Sequence, residues 1–268
     1  MKTFADILDR APARRILVAP SPQSQSFPDI AGEELLHRGN RVTFLEGSDE
    51  DAVKEACRLL RNKQADILVQ GDVPLKRFYT LLETEGFLEK TPCFVSIFED
   101  QVRKKLCLMA DTYIHDFPNL EQKIACLNQV IELARVLGME NPRTAALSAI
   151  ETINPAIPST VEAAVLSKMS QRGQFNALVE GPLDIDALIQ QAAAELKGIN
   201  SPVPGNFDII LCPDIETAYA LSQAFTLIGG FPTTGILLGT HSPVIIHPEF
   251  IPSTHKVVEI AVHALRVE

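Results

Sequence analysis

The sequence lacks any long apolar run, and this absence argues against the most common form of membrane protein. No segment approaches the ~18 to 20 consecutive apolar residues that a membrane-spanning helix requires. The first six residues, Met1-Lys2-Thr3-Phe4-Ala5-Asp6, contain no apolar core of the kind found in export signals. We therefore expect a protein that neither spans a membrane nor is exported, and we expect it in the cytoplasm.

Basic residues are too few and too dispersed to bind a polyanion. The chain has 24 Lys and Arg against 34 Asp and Glu, a net charge of -10, and no Lys/Arg-rich run. This balance repels nucleic acid and anionic lipid, so we expect neither a nucleic-acid nor a membrane partner. A small anion such as phosphate must then be held locally, by helix N-termini or by one or two cationic side chains.

The cysteines lack the spacing of a zinc site or of a disulfide framework. The five thiols are odd in number, and no pair forms a CxxC motif or a Cys/His ligand pattern. We interpret them as reduced, buried thiols and expect no metal site. They are Cys57, Cys93, Cys107, Cys126 and Cys212.

What the sequence does contain is an alternation of short apolar runs with longer amphipathic ones. This alternation predicts an α/β fold around a mainly parallel sheet, with a core that 268 residues and 46% hydrophobic side chains can supply. The charged stretch 99–105 favours a hairpin between two strands, so the sheet is expected to be mixed. The first-half strands are predicted at 16–19, 42–45, 67–69, 93–98 and 106–110.

A long helix is predicted next, from 119 to 137, with Gly138 placed to end it. The alternation then restarts, so we predict two α/β halves with a seam near Gly138. Ligands of such folds bind at the carboxyl ends of the strands. Further strands are predicted at 145–149, 177–179, 209–212, 235–238 and 244–246, and helices at 160–170, 184–197, 214–227 and 253–265.

Several phrases in the second half occur together, in order, over roughly half of the chain. In combination they resemble the phosphate acetyl- and butyryltransferase family, and the butyryl branch in particular. The phrases are Asn119–Lys123, Gly138–Arg143, Asn154–Thr160, Leu166–Gln174, Glu180–Leu183 with Asp186, Pro213–Thr217 and Gly235–Thr240.

The resemblance implies a two-domain α/β/α fold like that of isocitrate and isopropylmalate dehydrogenases. Its terminal segment returns to the first domain, which gives 1–138 plus 244–268 for domain one and 139–243 for domain two. It also implies the exchange of a short acyl group between coenzyme A and phosphate. Coenzyme A or acyl-CoA is then a substrate, no cofactor is covalently bound, and a homodimer is expected. An apolar stripe on the last helix, around Val257 and Ile260, is open to two interpretations, a dimer contact or part of the core.

Such an exchange needs a phosphate cradle, a base that generates thiolate, and donors for a tetrahedral oxyanion. Gly239, Thr240 and Ser242 follow a predicted strand and offer backbone and hydroxyl donors, or else form only a tight turn. Lys76 and Arg77 open a predicted helix and could reach a phosphate, or else are two solvated cations.

Two histidines are the candidate catalytic bases. His247 and His255 flank the last connection, and an imidazole titrates close to neutral pH. The resemblance places His255 at the position of the proposed basic aspartate of the acetyl branch. The alternative is an exposed histidine on a helix.

Three further residues match family positions. Asn154 and Arg172 belong to the shared phrases, and Asp111 follows a predicted strand. The resemblance implies that they contact the substrate. Arg172 alternatively caps the carboxyl end of its own helix.

The main departure from the family lies after the final strand. The family has a serine-arginine pair shortly after the final strand, where this chain has Pro248-Glu249. A carboxylate repels the acyl phosphate that a guanidinium attracts. A second hypothesis is therefore kept beside the transferase. In this hypothesis the chain is a member of the family that has lost catalysis and binds CoA or a phosphorylated ligand. A nicotinamide-dependent dehydrogenase is a third, but the chain has no GxGxxG after a strand.

Overall fold

The computed structural model describes residues 1–20, 34–246 and 255–267. Cα packing divides the chain into two compact units, and each contains segments that are distant in sequence. Unit 1 consists of Met1–Thr3 and Cys93–Pro232, and unit 2 of Phe4–Pro92 and Thr233–Glu268.

The domain division expected from the sequence uses different boundaries. That expectation changes domain at 138 and 243, whereas the compact units change at Pro92 and Pro232. Both divisions return the terminal segment to the amino-terminal part of the chain. The division at 138 and 243 stays a prediction.

Unit 2 is built on a parallel sheet with the strand order β10, β3, β1, β2. All four of these strands match the predicted ones within a residue at each end. Strand β1 lies inside the sheet and buries Ile16, Leu17 and Val18 in succession, which is typical of a parallel strand covered on both faces. The strands are β1 (Arg15–Val18), β2 (Arg41–Phe44), β3 (Ile67–Val69) and β10 (Val244–Ile245).

Helices cover this sheet. Ser48 is the N-cap residue of the helix over Asp49–Arg61, and its hydroxyl accepts a hydrogen bond from the backbone N–H of Asp51 at 3.2 Å. Residues Val257, Ile260 and Ala264 of the last helix pack into the same core cluster as Ile16 and Val69. The helices are α1 (Phe4–Arg10), α2 (Asp49–Arg61), α3 (Leu75–Thr84) and, at the carboxyl end, α9 (Lys256–Arg266).

Unit 1 contains the strands β7, β6, β8 and β5 and the part of β4 from Cys93 onward, in that order across the sheet. The pairs β7–β6, β6–β8 and β8–β5 are parallel, and β5–β4 is antiparallel, so the predicted mixed sheet is confirmed. The hairpin turn forms because the Asp100 carboxylate accepts backbone hydrogen bonds from Val102 and Arg103, both at 2.9 Å. The strands are β4 (Leu88–Asp100), β5 (Lys105–Ala110), β6 (Arg143–Leu147), β7 (Leu178–Leu183) and β8 (Ile209–Leu211).

The long helix predicted for 119–137 is confirmed as α4 (Leu120–Val136). Asn119 and Gln122 form a capping box at its start, and Gly138 follows its end with a φ of 85°. The other helices of unit 1 are α5 (Pro158–Gln171), α6 (Ile185–Ile189), α7 (Gln191–Leu196) and α8 (Ile215–Gln223).

Two predicted helices differ from the observed ones. The stretch predicted as one helix over 184–197 is two, because Gln190 is extended (φ -125°, ψ 116°) and the carbonyl of Leu188 accepts from Gly205 N–H at 2.8 Å. The helix predicted over 214–227 is α8 followed by a π-helical turn, Ala224–Ile228. A contact with a distant loop thus overrides the local helical periodicity in the first case.

Strand β9 (Thr233–Thr240) belongs to unit 2 and is longer than the predicted 235–238. Within unit 2, His241 N–H donates to the carbonyl of Phe87 at 3.1 Å. Gly239 has a φ of 75°, and a Cβ at this position would lie 2.6 Å from the Cα of Pro92. Only glycine fits this close approach.

Candidate active site

A cavity of about 1300 Å³ opens in unit 1 where three neighbouring parallel strands end. Leu147 is the last residue of β6, Asp184 follows β7, and Pro213 comes shortly after β8, and all three line the cavity. The carboxyl ends of parallel strands are where open α/β sheets bind ligands. We refer to this cavity as the unit 1 pocket.

The phrases that carry the family resemblance meet at this pocket. Four segments that are far apart in sequence each contribute lining residues. A ligand-binding site is a simple reason for such distant segments to share one wall. The contributors are Asn119 and Lys123, Ile157–Ser159, Asp186, and Pro213, Asp214 and Thr217.

Two polar pairs line the pocket. The hydroxyl oxygens of Ser148 and Ser159 lie 2.8 Å apart, so one donates to the other. The ammonium of Lys123 contacts the carboxylate of Glu162, and the Lys123 side chain is 7% exposed. Hydrogen bonding to a carboxylate is what allows a lysine to be buried to this extent.

Another part of the wall is apolar. Phe117 and Ile185 line the pocket and are 76% and 42% exposed, and Ala220, Leu221 and Ala224 line it from α8 and the π-helical turn. π-Helical turns within α-helices are frequent at functional sites. The pocket thus combines open apolar surface with a few fixed polar groups.

His255 lies in unit 2 as the N-cap residue of α9. Its Nδ1 atom is 2.7 Å from the carbonyl oxygen of Thr233, and its ring meets the ring of Phe4 edge to face at 5.4 Å. A carbonyl oxygen only accepts, so Nδ1 donates, and in the neutral ring Nε2 is left as the basic nitrogen. The histidine therefore has a fixed orientation and a defined tautomer.

The structure places Gly239 and Thr240 as the last two residues of β9, not in a turn after the strand. Thr240 is 8% exposed, and among the described residues its hydroxyl has no hydrogen-bond partner. Ser242 follows in half-buried coil. Buried hydroxyls are normally hydrogen-bonded, so Thr240 offers a donor that a bound oxygen would satisfy.

Lys76 and Arg77 lie in the first turn of α3, as predicted, and both are exposed. The Nε atom of Arg77 is 2.9 Å from an Asp49 carboxylate oxygen, so this guanidinium already has an anionic partner. This geometry suits the interpretation of solvated surface cations at least as well as a phosphate contact.

Asp111 and Asn154 have local structural partners. Asp111 accepts backbone hydrogen bonds from Phe94 and Tyr113, each at 3.1 Å, and its other oxygen lies 2.7 Å from His115 Nδ1. The Asn154 side chain accepts from Ala156 N–H at 2.9 Å and so shapes the turn before α5. Arg172 is exposed and is the C-cap residue of α5, the role given above as its alternative. Contact of these three residues with substrate stays a prediction.

His247 and the Pro248-Glu249 segment lie outside the described residues. Within the described part of the chain, no group of His, Cys, Asp and Glu is arranged to hold a metal ion. No helix of that same part has the length and apolar character needed to cross a membrane.

Several pocket residues were missed as functional candidates. Ser148, Glu162 and Ala220 belong to no motif of their own, and sequence reasoning gave them no role. One sequence pattern could have located the pocket. The phrases quoted above come directly after β6, β7 and β8 or directly before α4, and these positions lie together at one edge of a parallel sheet.

Comparison with known sequences finds close relatives over most of the chain. A phosphate butyryltransferase of Clostridium acetobutylicum is 36% identical over 218 residues, which cover 80% of this chain and 72% of the relative. A phosphate acetyltransferase of Thermotoga maritima is 33% identical over 238 residues, covering 87% and 81%.

Solved structures share the fold. A branched-chain phosphotransacylase from Enterococcus faecalis V583 superposes with a TM-score of 0.81 at 23% identity, covering 95% of this chain and 99% of that one. A phosphotransacetylase from Streptococcus pyogenes gives 0.77 at 15% identity, covering 98% and 97%. Residues 11–264 match the family described as phosphate acetyl/butaryl transferase. The chain therefore belongs to the phosphate acetyl/butaryl transferase family.

Proposed function

We propose that this chain exchanges a short acyl group between coenzyme A and phosphate. The observation that carries the proposal is the family match over residues 11–264, together with relatives of acetyl and butyryl specificity at 30% identity or more. A phosphate oxygen attacks the thioester carbonyl, the C–S bond breaks, and the released thiolate takes a proton. Acyl phosphate and free CoA are the products.

His255 is the proposed acid and base of this reaction. Its Nδ1–H is committed to Thr233, so Nε2 is the nitrogen that removes the thiol proton in one direction and returns it in the other. A free thiol titrates near pH ~8.5, so a modest local influence is enough to generate thiolate near neutral pH. His247 remains a second candidate base.

Gly239, Thr240 and Ser242 are the proposed contacts to substrate oxygens. The unsatisfied hydroxyl of Thr240 supports this assignment, because it can donate to a substrate oxygen. Lys76 and Arg77 are proposed as cations near the phosphate, and Asp111, Asn154 and Arg172 as further contacts.

The proposal also covers the domain arrangement, the cellular location, the substrate and the oligomeric state. We assign the two-domain arrangement of the isocitrate and isopropylmalate dehydrogenases, a cytoplasmic location, acyl-CoA as substrate without a resident cofactor, and a homodimer. The five described cysteines are all buried and none forms a disulfide, which suits a reducing compartment. The apolar stripe of α9 supports no dimer contact, because Val257, Ile260 and Ala264 pack into the core of unit 2.

A thiol-release assay tests the proposal. Acetyl-, propionyl- and butyryl-CoA are each incubated with the protein and phosphate, and release of CoA is followed. We expect turnover that requires phosphate. The absence of turnover above background with all three substrates would reject the proposal.

The departure at Pro248-Glu249 gives the alternative a specific basis. A member of the family without catalysis would bind CoA, acyl-CoA or acetyl phosphate in calorimetry and turn none of them over. Binding without turnover supports this alternative, and no binding of any of the three rejects it.

A further inference from the structure

Lys256 is a half-buried amine directly after the proposed catalytic histidine. It is the first residue of α9 and follows His255, the N-cap residue whose ring contacts the carbonyl oxygen of Thr233. Lysine side chains are usually exposed, whereas Lys256 is half-buried. Two carboxylates, those of Asp72 and Glu259, act electrostatically on its ammonium group. The setting of this lysine is therefore unlike that of a solvated surface cation.

The neighbours of Lys256 lie at the edge of the unit 2 sheet where ligands are expected. Strands β3 and β10 are parallel neighbours, and the N–H of Gln70 donates to the carbonyl oxygen of Ile245 at 3.0 Å where both strands end. Asp72 follows β3 at this carboxyl edge. Its electrostatic effect on Lys256 means that the start of α9 lies near the same edge. Open α/β sheets bind their ligands at the carboxyl ends of their strands.

Burial makes the amine of Lys256 a better nucleophile. Removal from water disfavours the charged ammonium and lowers the pKa of Lys256 below its usual value, although Glu259 and Asp72 favour the charged form. Only the neutral amine attacks a carbonyl carbon, and a buried lysine has a larger neutral fraction at neutral pH than a fully solvated one. Lys256 therefore combines a reactive nitrogen with a position next to the proposed acid and base.

The proposed reaction supplies an acylating agent for this amine, because acyl phosphate is a mixed anhydride whose carbonyl carbon is attacked by neutral amines. We propose that Lys256 is a modification site, acylated on its side-chain nitrogen by the acyl phosphate that the chain forms. The N–C bond forms, the C–O bond to phosphate breaks, and the departing phosphate takes the proton that the nitrogen loses. The products are an acylated lysine and inorganic phosphate. This inference rests on the proposed function for its acyl donor.

Peptide mass spectrometry after incubation with synthetic butyryl phosphate measures the acylation of each lysine. Lys54 is the internal control, because it is an exposed residue of α2 in the same unit. We expect Lys256 to acquire the butyryl group at least about tenfold faster than Lys54, because a bound donor is held beside the amine. Equal or slower labelling of Lys256 would overturn the inference.

Competition with inorganic phosphate determines whether the donor reacts from its binding site. Phosphate is the other phosphorylated reactant of the exchange and competes with butyryl phosphate for that site. We expect added phosphate to slow the labelling of Lys256 and to leave that of Lys54 unchanged, relative to chloride at the same ionic strength. Labelling of Lys256 that phosphate does not slow would show that the donor reacts from solution, and the inference would then be wrong.

A turnover measurement separates this inference from the proposed function. Release of CoA from butyryl-CoA and phosphate, without faster labelling of Lys256 by butyryl phosphate, rejects the modification site and leaves the transferase intact. Fast labelling of Lys256 by butyryl phosphate that phosphate slows, in a protein that releases no CoA, rejects the transferase and retains Lys256 as a site of acylation by acyl phosphate.

Discussion

The Nδ1 atom of His255 lies 2.7 Å from the carbonyl oxygen of Thr233, at the start of the last helix. This contact gives the imidazole one tautomer, since the carbonyl accepts the Nδ1 proton and leaves Nε2 basic. A histidine held in this way has the properties of a general base, because the orientation of its reactive nitrogen is set before substrate binds.

The first prediction removes the basic nitrogen and keeps the contact. In His255→Asn the side-chain amide stands where Nδ1 was and can still donate to Thr233, but nothing replaces Nε2. We expect kcat for butyryl-CoA to fall about 10²- to 10⁴-fold, with a smaller change in KM, as is typical when a general base is lost. Steady-state kinetics by thiol release provides the measurement.

His37→Asn is the matched control, because His37 is an exposed histidine of the same unit. It should retain wild-type kcat. A His255→Asn enzyme with wild-type kcat would show that His255 is not the base and would shift attention to His247.

The second prediction concerns Gly239 at the end of β9. Alanine at this position is unfavourable for two reasons. Its backbone would have a φ of 75°, and its Cβ would lie 2.6 Å from the Cα of Pro92. We expect Gly239→Ala to lower the free energy of unfolding by about 2 to 4 kcal/mol, measured by urea titration. Gly86→Ala, with a φ of 60° and open space around the Cβ, carries only the conformational cost of about 1 kcal/mol. Equal losses in the two variants would contradict the close approach.

The third prediction concerns the pH dependence of a single ion pair. Asp66 accepts from the Arg15 guanidinium at 2.6 Å and from the Arg15 backbone at 2.7 Å, and the guanidinium hydrogen bond lowers the pKa of Asp66. A carboxylate whose pKa is lower in the folded state stabilises the fold above its unfolded pKa of ~3.9, and this contribution is lost as the pH falls through the folded pKa.

Asp66→Asn should therefore cost about 1 kcal/mol of unfolding free energy at pH 7, since Arg15 is largely exposed and the pair is partly screened. The difference from wild type should shrink below about pH 4. Urea titrations at several pH values measure it, with the exposed Asp9→Asn as the control. A difference that stays the same down to pH 3 would refute the assignment.

The fourth prediction concerns the thiols. All five cysteines are buried and none forms a disulfide, and burial raises the pKa of Cys57 and of Cys107 to about 12 and that of Cys212 further still. The thiolate is the reactive form, so we expect almost no reaction with dithionitrobenzoate in the native protein and five reactive thiols after unfolding. Fast reaction of any thiol in the native protein would contradict this burial. Unreactive thiols also keep the background of a CoA-release assay low.

Helices and strands were predicted correctly where the local sequence pattern and the tertiary packing favour the same structure. Strand β3, Ile67–Val69, was predicted at its exact bounds because its three residues are apolar and fully buried. Helix α4 was predicted because Asn119 caps its start and Gly138 adopts the left-handed conformation after its end. The mixed pairing of β4 and β5 followed from the charged turn between them.

Failures occurred where distant residues decide the local structure. The amino-terminal half of β4, with Glu89, Lys90 and Pro92, has no strand pattern and becomes extended beside β9. Gln190 breaks a helix because Leu188 hydrogen-bonds to a loop beyond α7. The unit 1 pocket was not predicted because alanines and serines such as Ala220 and Ser148 have no distinctive sequence pattern. They line a pocket only because the fold brings them close to other segments.

Direct detection of acyl phosphate tests the central claim, because that product distinguishes phosphate transfer from simple thioester hydrolysis. The protein is incubated with butyryl-CoA, with and without phosphate, and any acyl phosphate formed is trapped by hydroxylamine as the hydroxamate. We predict hydroxamate in the presence of phosphate, equal in amount to the CoA released, and none beyond the enzyme-free background without phosphate. CoA release that proceeds equally without phosphate and yields no hydroxamate would contradict the assignment of this chain as a phosphate acyltransferase.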